Sequence, residues 1–403
     1  EICACLVGSE MCIRDRYVDY MATSKDFIKK YGDKTFNELP FTDVDNLLLC
    51  EIFYMPFEKV LYKGFNDKPV LFSDACKKVF AYNGYKHISP GFLMNNYISQ
   101  KMMALAETVR YKDVKVYACE SVFGTEPAVQ FAAMTFILPD DTKVVVYRGT
   151  DDTWVGWKED IDIYTKKGIP SHKLCVDYLE RVAKDFPDGD IIICGHSKGG
   201  HVALHSALYC DESVRNRIER VYNNDGPGFY SYNYIESKPY NEIINKYRHF
   251  VPDCSFVGML LVHDDDYIPV KSTRLFGMLQ HDLATWKIKG TQLLTRDDLT
   301  FVARVTDLVL KKVLYNMDEE KTNNFEAVLS AVIAGMGQVN ITNFSKNLIS
   351  SLKGAIDTWS SIDEPAKELF RTTFVGIFTV IEECTKLVIM QDKEARQKSR
   401  VRQ

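Results

Sequence analysis

The stretch Ile191, Ile192, Ile193, Cys194, Gly195, His196, Ser197, Lys198, Gly199, Gly200, His201 decides the fold. Three isoleucines and a cysteine suit a buried strand, and they run without a break into Gly-x-Ser-x-Gly, after which the pattern turns helical from Val202. A serine between a strand and a helix must sit on a strained turn that lifts its hydroxyl above the sheet. A Cβ at either flanking glycine would crowd the neighbouring strand or helix. A Gly/Ser cluster after a strand is also ordinary chemistry for a strand-to-helix loop, so the surrounding chain has to decide between the two.

Upstream, residues 187–190 turn the chain into this strand and 176–186 carry helical spacing. Further back, apolar residues 129–138, a turn at 139–142 and a second run at 143–147 read as a hairpin. That run ends in Arg148, Gly149, Thr150, Asp151, a polar break at the carboxyl end of a strand, where open α/β sheets bind their ligands. Residues 153–163 then carry Trp154 and Trp157, which either pack on the core or line a cleft as substrate-binding groups. Downstream, residues 202–209 read as a helix. Residues 218–223, 247–251 and 267–270 read as strands, the first ending at Asn224, Asp225, Gly226, Pro227, Gly228 and the second stopped by Pro252 and Asp253. Alternating strands and helices imply an α/β fold with a mainly parallel central sheet covered on both faces. Ahead of it, residues 19–31, 43–61 and 90–111 have helical spacing, with Thr42 or Asp43 as N-cap and the methionines 94, 102 and 103 as core filler.

From Asp297 onward helices dominate. Met317, Asp318, Glu319 followed by Phe325 recurs as Ile362, Asp363, Glu364 followed by Phe370, each Asp serving as an N-cap. Three segments are therefore expected: 1–16, 17–290 as the α/β domain and 291–403 as an all-helical C-terminal region. Residues 1–16 hold three cysteines, lack the features of a signal peptide and include Ser-Glu-Met-Cys-Ile-Arg-Asp-Arg, which resembles translated adaptor sequence, so they are read as non-native.

Hydrophobic residues make up 46% and charged residues 26% of the 403 positions, the balance of a soluble globular chain. A net charge of −5 argues against a polyanion binder, and nucleic acid is excluded as a partner. The 11 cysteines show no C-x-x-C pair, which suggests neither a zinc site nor a disulfide framework and points to a reducing, cytoplasmic setting. The most apolar late stretch, 370–390, is broken by Glu382, Glu383 and Lys386, so no transmembrane span is expected, and only transient contact with a lipid surface remains open.

A serine hydroxyl is a weak nucleophile at neutral pH and needs a base to take its proton and an acid to orient that base. His281, in the loop Gln280, His281, Asp282, stands downstream of Ser197 as the order serine, acid, histidine requires. His196 and His201 flank the nucleophile and are expected to point elsewhere, while His249 precedes a strand end and His263 lies in an acidic loop. Asp225 and Asp253 compete for the acid, each at the end of a strand facing the edge that holds Ser197; Asp225 is preferred and Asp253 is the alternative. Two oxyanion donors are expected: the main-chain N–H of Lys198, and Thr150 through its N–H and its hydroxyl. The Lys198 ammonium is expected to reach solvent or an anionic group of a substrate.

Tyr147-Arg148-Gly149-Thr150, Trp157, Asp160 and Gly195-His196-Ser197-Lys198-Gly199-Gly200 resemble the oxyanion-loop and nucleophile signatures of the lipase class 3 group. Asn224 to Phe229, Val251-Pro252, Gly258-Met259-Leu260, and Gln280-His281-Asp282 with Trp286 are similar to an uncharacterised bacterial lipase-like family of α/β-hydrolase fold. The resemblance implies a Ser197, Asp225, His281 hydrolase acting on a lipid or other acyl ester, with a lid near residues 153–157, and it favours Asp225 over Asp253. It implies no metal and no organic cofactor. Two other readings stand beside it: amide or thioester cleavage or acyl transfer, which would use the same triad, and a catalytically idle fold serving as a binding module with the helical tail as its partner surface.

Overall fold

A computed structural model describes residues 22–61, 68–87, 97–151, 153–165, 168–255, 257–263, 267–274, 277–297, 299–301, 303–305, 307–309 and 356–369, and singly 320, 324, 327, 328, 372 and 390. The segment 1–16 and the 317–319 half of the repeat lie outside these residues; in the other half, Asp363 directly precedes the helical residues 364–369.

The helices in chain order are α1 (Ser24–Tyr31), α2 (Asp43–Ile52), α3 (Phe72–Tyr82), α4 (Ile98–Ala106), α5 (Trp154–Thr165), α6 (Pro170–Asp185), α7 (Lys198–Tyr209), the single turn α8 (Glu212–Arg215) and α9 (Lys238–Ile243). The strands are β1 (Val70–Leu71), β2 (Lys115–Thr125), β3 (Ala128–Ile137), β4 (Lys143–Tyr147), β5 (Ile191–His196), β6 (Ile218–Asn224), β7 (Tyr247–Pro252) and β8 (Ile268–Val270), with a small hairpin of β9 (Ile288–Lys289) and β10 (Gln292–Leu293) apart. The eight strands lie in the sheet in the order of the sequence. β1 to β4 pair antiparallel and β4 to β8 pair parallel, so the fold is mixed α/β with the parallel half around β5.

This order has a geometric consequence. Every crossover after β4 advances across the sheet in one direction, and right-handed crossovers then deliver all their helices to one face. Val145, Tyr147, Ile191 and Ile193 point to that face and pack with Tyr178 and Leu179 of α6, Val202 and Ala203 of α7, and Ile243 of α9. Val144, Val146, Ile192 and Cys194 alternate to the other face. There they meet Leu47, Leu48, Phe53, Phe72 and Met102 from the amino-terminal helices, which close the layer the crossovers cannot reach. The unbroken apolar runs of β4 and β5 reflect burial on both sides.

Helix α2 is the centre of the amino-terminal layer. Thr42 caps it and the Asp45 carboxylate reaches back to the Thr42 N–H at 2.9 Å, a reciprocal cap. The expected helix over 43–61 stops at Ile52 because Pro56, with no N–H and a ring that crowds the preceding turn, cannot continue it; a 3₁₀ turn, Phe57–Lys59, follows. The stretch 90–111 shortens to α4, and 19–31 to α1 behind Thr23. Strand β2 and helix α3 carry no reading in the sequence above: β2 exposes Lys115 and Phe123, is kinked by a register shift between Tyr117 and Glu120, and has the polar mixture of a loop. Asp45 also accepts from Arg110 Nε (2.8 Å) and Nη2 (2.6 Å) and from Tyr111 Oη (2.8 Å), all buried, with the guanidinium 4.0 Å from the Phe36 ring centroid. Beyond residue 290 the chain still packs on the sheet: Arg296 pairs with Asp253, and Leu299 and Ala303 cluster with Val251 and Met259.

The first turns of α6 and α7 meet through histidines. His201 Nδ1 lies 2.8 Å from the Gly228 carbonyl, which can only accept, so Nδ1 carries the proton and Nε2 is an acceptor. His172 Nε2, 2.7 Å away, therefore donates to it, and the Ile169 N–H donates to His172 Nδ1 at 3.3 Å. The His205 ring stacks on His172 at 4.0 Å. Each bond in this chain requires a neutral ring, and burial lowers the proton affinity of all three: His201 to about 4, His205 to about 3, and His172 well below its usual range. Burial likewise lowers His249 to about 3 and His196 well below its ordinary value of 6.5.

Two outcomes follow. Arg110→Met leaves the buried Asp45 carboxylate without its bidentate partner and should cost about 3–5 kcal/mol in urea unfolding; a loss below about 1 kcal/mol would show that the pair is not integral to the layer. Acid should also destabilise the fold between pH 6.5 and 5. The unfolded chain takes up protons there that the five depressed histidines refuse, each contributing up to ~1.4 kcal/mol per pH unit. Asp160 and Asp282, both raised to about 6 by burial, act in the opposite direction but are outnumbered. A urea midpoint that is flat or rising as pH falls through this window contradicts the assignment.

Candidate active site

Ser197 stands between β5 and α7 with φ 58° and ψ −133°, a left-handed conformation rarely adopted by a residue with a side chain. The strain is held by close backbone contact on both sides. A Cβ on Gly195 would lie 2.0 Å from the Gly199 carbonyl oxygen, and one on Gly199 would lie 2.2 Å from the Tyr147 oxygen. Both glycines of Gly-x-Ser-x-Gly are thus needed for approach. Helix α7 starts at once, its Gly200 and His201 N–H groups bonding back to the Ser197 carbonyl at 2.8 and 3.3 Å.

Asp225 follows β6, again at positive φ (54°), with its own N–H bonded to the Phe250 carbonyl at 2.8 Å. Its carboxylate is fully buried and accepts three bonds: from His281 Nδ1 at 2.7 Å, Ser255 Oγ at 2.7 Å and the Gly258 N–H at 2.9 Å. Three donors thus satisfy the buried carboxylate. Because a carboxylate only accepts, His281 carries its proton on Nδ1 and leaves Nε2 with a lone pair. Asp253, the alternative acid, is engaged elsewhere: it takes Arg296 Nη1 at 2.7 Å and Gln280 Nε2 at 3.2 Å. The structure therefore brings His281 to Asp225 and not to Asp253.

The loop that carries His281 is fixed residue by residue. The indole N–H of buried Trp286 donates to the Gln280 carbonyl at 2.8 Å, the Gln280 side chain bridges the Cys254 N–H and the Arg274 carbonyl, and Asp282 caps the turn at the Ala284 N–H. His196 Nε2 lies 2.8 Å from the His281 carbonyl, and the two imidazole centroids are 4.4 Å apart, so His281 is seated against the residue that precedes Ser197. No hydrogen bond joins Ser197 Oγ to His281 Nε2 among those of the described residues. His201 turns away into the cluster with His172, and His249 Nε2 lies 3.1 Å from the Gly226 carbonyl, beneath the acid turn.

Two expectations about polar side chains need correction. The Lys198 ammonium does not reach solvent or a substrate: it is 2% exposed, pairs with Glu159 at 2.7 Å and bonds the carbonyl of Gln130 at 2.7 Å. Burial of its stem between β3, α5 and α7 leaves no route outward. Glu159, which the sequence reading missed, is the hub of that contact, also accepting from the Gln130 N–H at 2.9 Å and Ser171 Oγ at 2.6 Å. The Thr150 hydroxyl is likewise occupied, donating to Asp160 at 2.6 and 2.8 Å, so its main-chain N–H is the donor that remains for an oxyanion. Trp154 opens α5 and Trp157 is half-buried one turn on, in the helix that leaves the Thr150 loop and packs on β3.

Among the described residues no helix is long and apolar enough to cross a membrane. Searches of curated proteins and of solved structures return no match. A family model described as Mbeg1-like matches residues 105–330, the span that carries the nucleophile turn, Asp225 and His281, and covers more than half of the 403 residues. The chain belongs to the Mbeg1-like family.

Proposed function

We propose that this member of the Mbeg1-like family, a family related to lipase class 3, is a serine hydrolase that cleaves carboxylic esters, lipid or other acyl esters, through an acyl-enzyme. One observation carries the reading: a buried carboxylate, Asp225, bonds Nδ1 of an imidazole whose main chain is tied to the residue preceding Ser197. Ser197 Oγ attacks the ester carbonyl while His281 Nε2 accepts the hydroxyl proton, and Asp225 stabilises the imidazolium that results. The oxyanion forms against the N–H groups of Lys198 and Thr150. Collapse expels the alcohol, which takes the proton from His281, and water then repeats the sequence on the acyl-serine to release the acid. Every step is a proton or acyl transfer between these side chains and the substrate. The hydroxyl of Thr150 keeps its loop rigid through Asp160, which preorganises the N–H rather than adding a donor.

The test is hydrolysis of nitrophenyl esters of increasing chain length. Ser197→Ala should abolish turnover, Asp225→Asn should lower kcat by about 10⁴-fold by favouring the wrong tautomer of His281, and Asp253→Asn should stay within a few-fold of wild type because its ion pair with half-exposed Arg296 is worth little. Turnover that survives Ser197→Ala sinks the hydrolase reading, and an inactive Asp253→Asn beside an active Asp225→Asn reverses the choice of acid.

A further inference from the structure

We infer that Tyr54 and His196 form a relay that positions His281 for the reaction, Tyr54 fixing the ring of His196 and His196 holding the main chain of the base. The inference rests on the hydrolase reading above and extends it to Tyr54, which lies outside residues 105–330 that the family model matches.

Tyr54 sits in the turn that ends α2, and its Oη lies 2.9 Å from His196 Nδ1. His196 Nε2 lies 2.8 Å from the carbonyl oxygen of His281. A carbonyl has no proton to give, so Nε2 is the protonated nitrogen of a neutral ring and Nδ1 is its acceptor, which makes Tyr54 the donor. The direction of both bonds is thereby settled. Tyr54, His196 and His281 are all buried, and burial holds His196 neutral, as the relay requires.

The placement reaches all three loops of the site. A Cβ on Gly149 would lie 2.3 Å from Tyr54 Oη and 2.9 Å from Ser197 Cβ, so the phenol presses directly under the oxyanion loop and beside the nucleophile. Through His196 it connects to the loop of the base, whose ring lies against His196 at 4.4 Å between centroids, tilted by 35°. Trp286 anchors that loop one residue earlier, at the Gln280 carbonyl. Among the described residues His196 is the donor to the His281 peptide itself. Rotation of that peptide would swing the imidazole away from both Asp225 and Ser197, and a displacement of about 1 Å costs on the order of 100-fold in rate.

Inactivation of the full chain by a fluorophosphonate separates reactivity (kinact) from binding (KI). Tyr54→Phe should lower kinact about tenfold, with KI near that of wild type and a melting temperature lower by only a few degrees, the loss expected when the buried His196 Nδ1 is left without its donor. His196→Leu should lose more, His196→Gln, which can again direct an N–H at the carbonyl, should recover part of the loss, and Tyr54→Phe added to His196→Leu should cost nothing further. The relay is overturned if Tyr54→Phe keeps the wild-type kinact, if the losses fall on KI, or if glutamine at 196 is no better than leucine. A wild-type chain that is not labelled, or is labelled equally in Ser197→Ala, removes the hydrolase reading and the relay with it. Should His196→Leu fail to fold, Tyr54→Phe alone still decides the question.

Discussion

The direction in which the chain crosses its own sheet governs the rest of this structure. From β4 to β8 each strand is laid beside the last without a reversal, and with right-handed crossovers that path covers only one face with helix. The opposite face, lined by Val144, Val146, Ile192 and Cys194, would expose apolar surface to water at a cost of about 25 cal/mol per Å². Helices α1 to α4 bury it. The amino-terminal layer is thus a requirement of the topology, and any chemistry at the carboxyl ends of the strands is built against it.

That requirement explains polar contacts that would otherwise look wasteful in a core. Asn46, on the buried side of α2, exchanges two 2.9 Å bonds with Asn224, the residue just before Asp225, and Asn224 in turn donates to the Gly195 carbonyl. Tyr54, from the turn after α2, meets His196, the residue just before Ser197. An apolar helix could pack on the sheet in several rotational settings, whereas an amide pair and a phenol–imidazole bond are satisfied in one only. Such bonds add little net stability but leave a large penalty for misregistration, because each group stranded without a partner costs about 1–3 kcal/mol. The layer therefore sets the register of the turns that precede both Asp225 and Ser197.

What could be read from residues alone follows the same physics. The strands at 143–147 and 191–196 were legible because burial on both faces writes a continuous apolar run, and the Ser197 turn because two glycines and a serine have few other uses between a strand and a helix. Asp225 and His281 could be chosen by order along the chain and by resemblance, and the structure pairs them. Strand β2 and helix α3 were not legible: β2 is partly exposed and bulged, so its pattern carries no clean alternation. The directions of Lys198 and of the Thr150 hydroxyl were misjudged because a sequence shows a charge or a hydroxyl but not the partner folded over it. Glu159 and Asp160 lie on a helix some 40 positions before the nucleophile, and nothing in their spacing announces that one neutralises a lysine and the other engages a threonine.

Asp225 and Asp253 illustrate how two aspartates at neighbouring strand ends come to hold different partners. Both stand at the end of a parallel strand, one strand apart in the sheet. Their fates diverge through the next few residues. Asp225 leaves β6 in a left-handed conformation, which directs its carboxylate toward Ser255 and Gly258, the two donors that hold it in place and leave its remaining acceptor site for His281. Asp253 leaves β7 in line with the strand, its N–H still bonded to Val270, and its side chain meets the guanidinium of Arg296 instead. The Asn223-Asn224-Asp225-Gly226-Pro227 turn is what makes the first geometry affordable: asparagine and aspartate tolerate positive φ better than other side chains, and Asn223 accepts from the Gly226 N–H at 2.8 Å to close the turn. A carboxylate at a strand end becomes a partner for an imidazole when its own backbone turns out of the strand, and that is a property of the neighbouring residues more than of the acid itself.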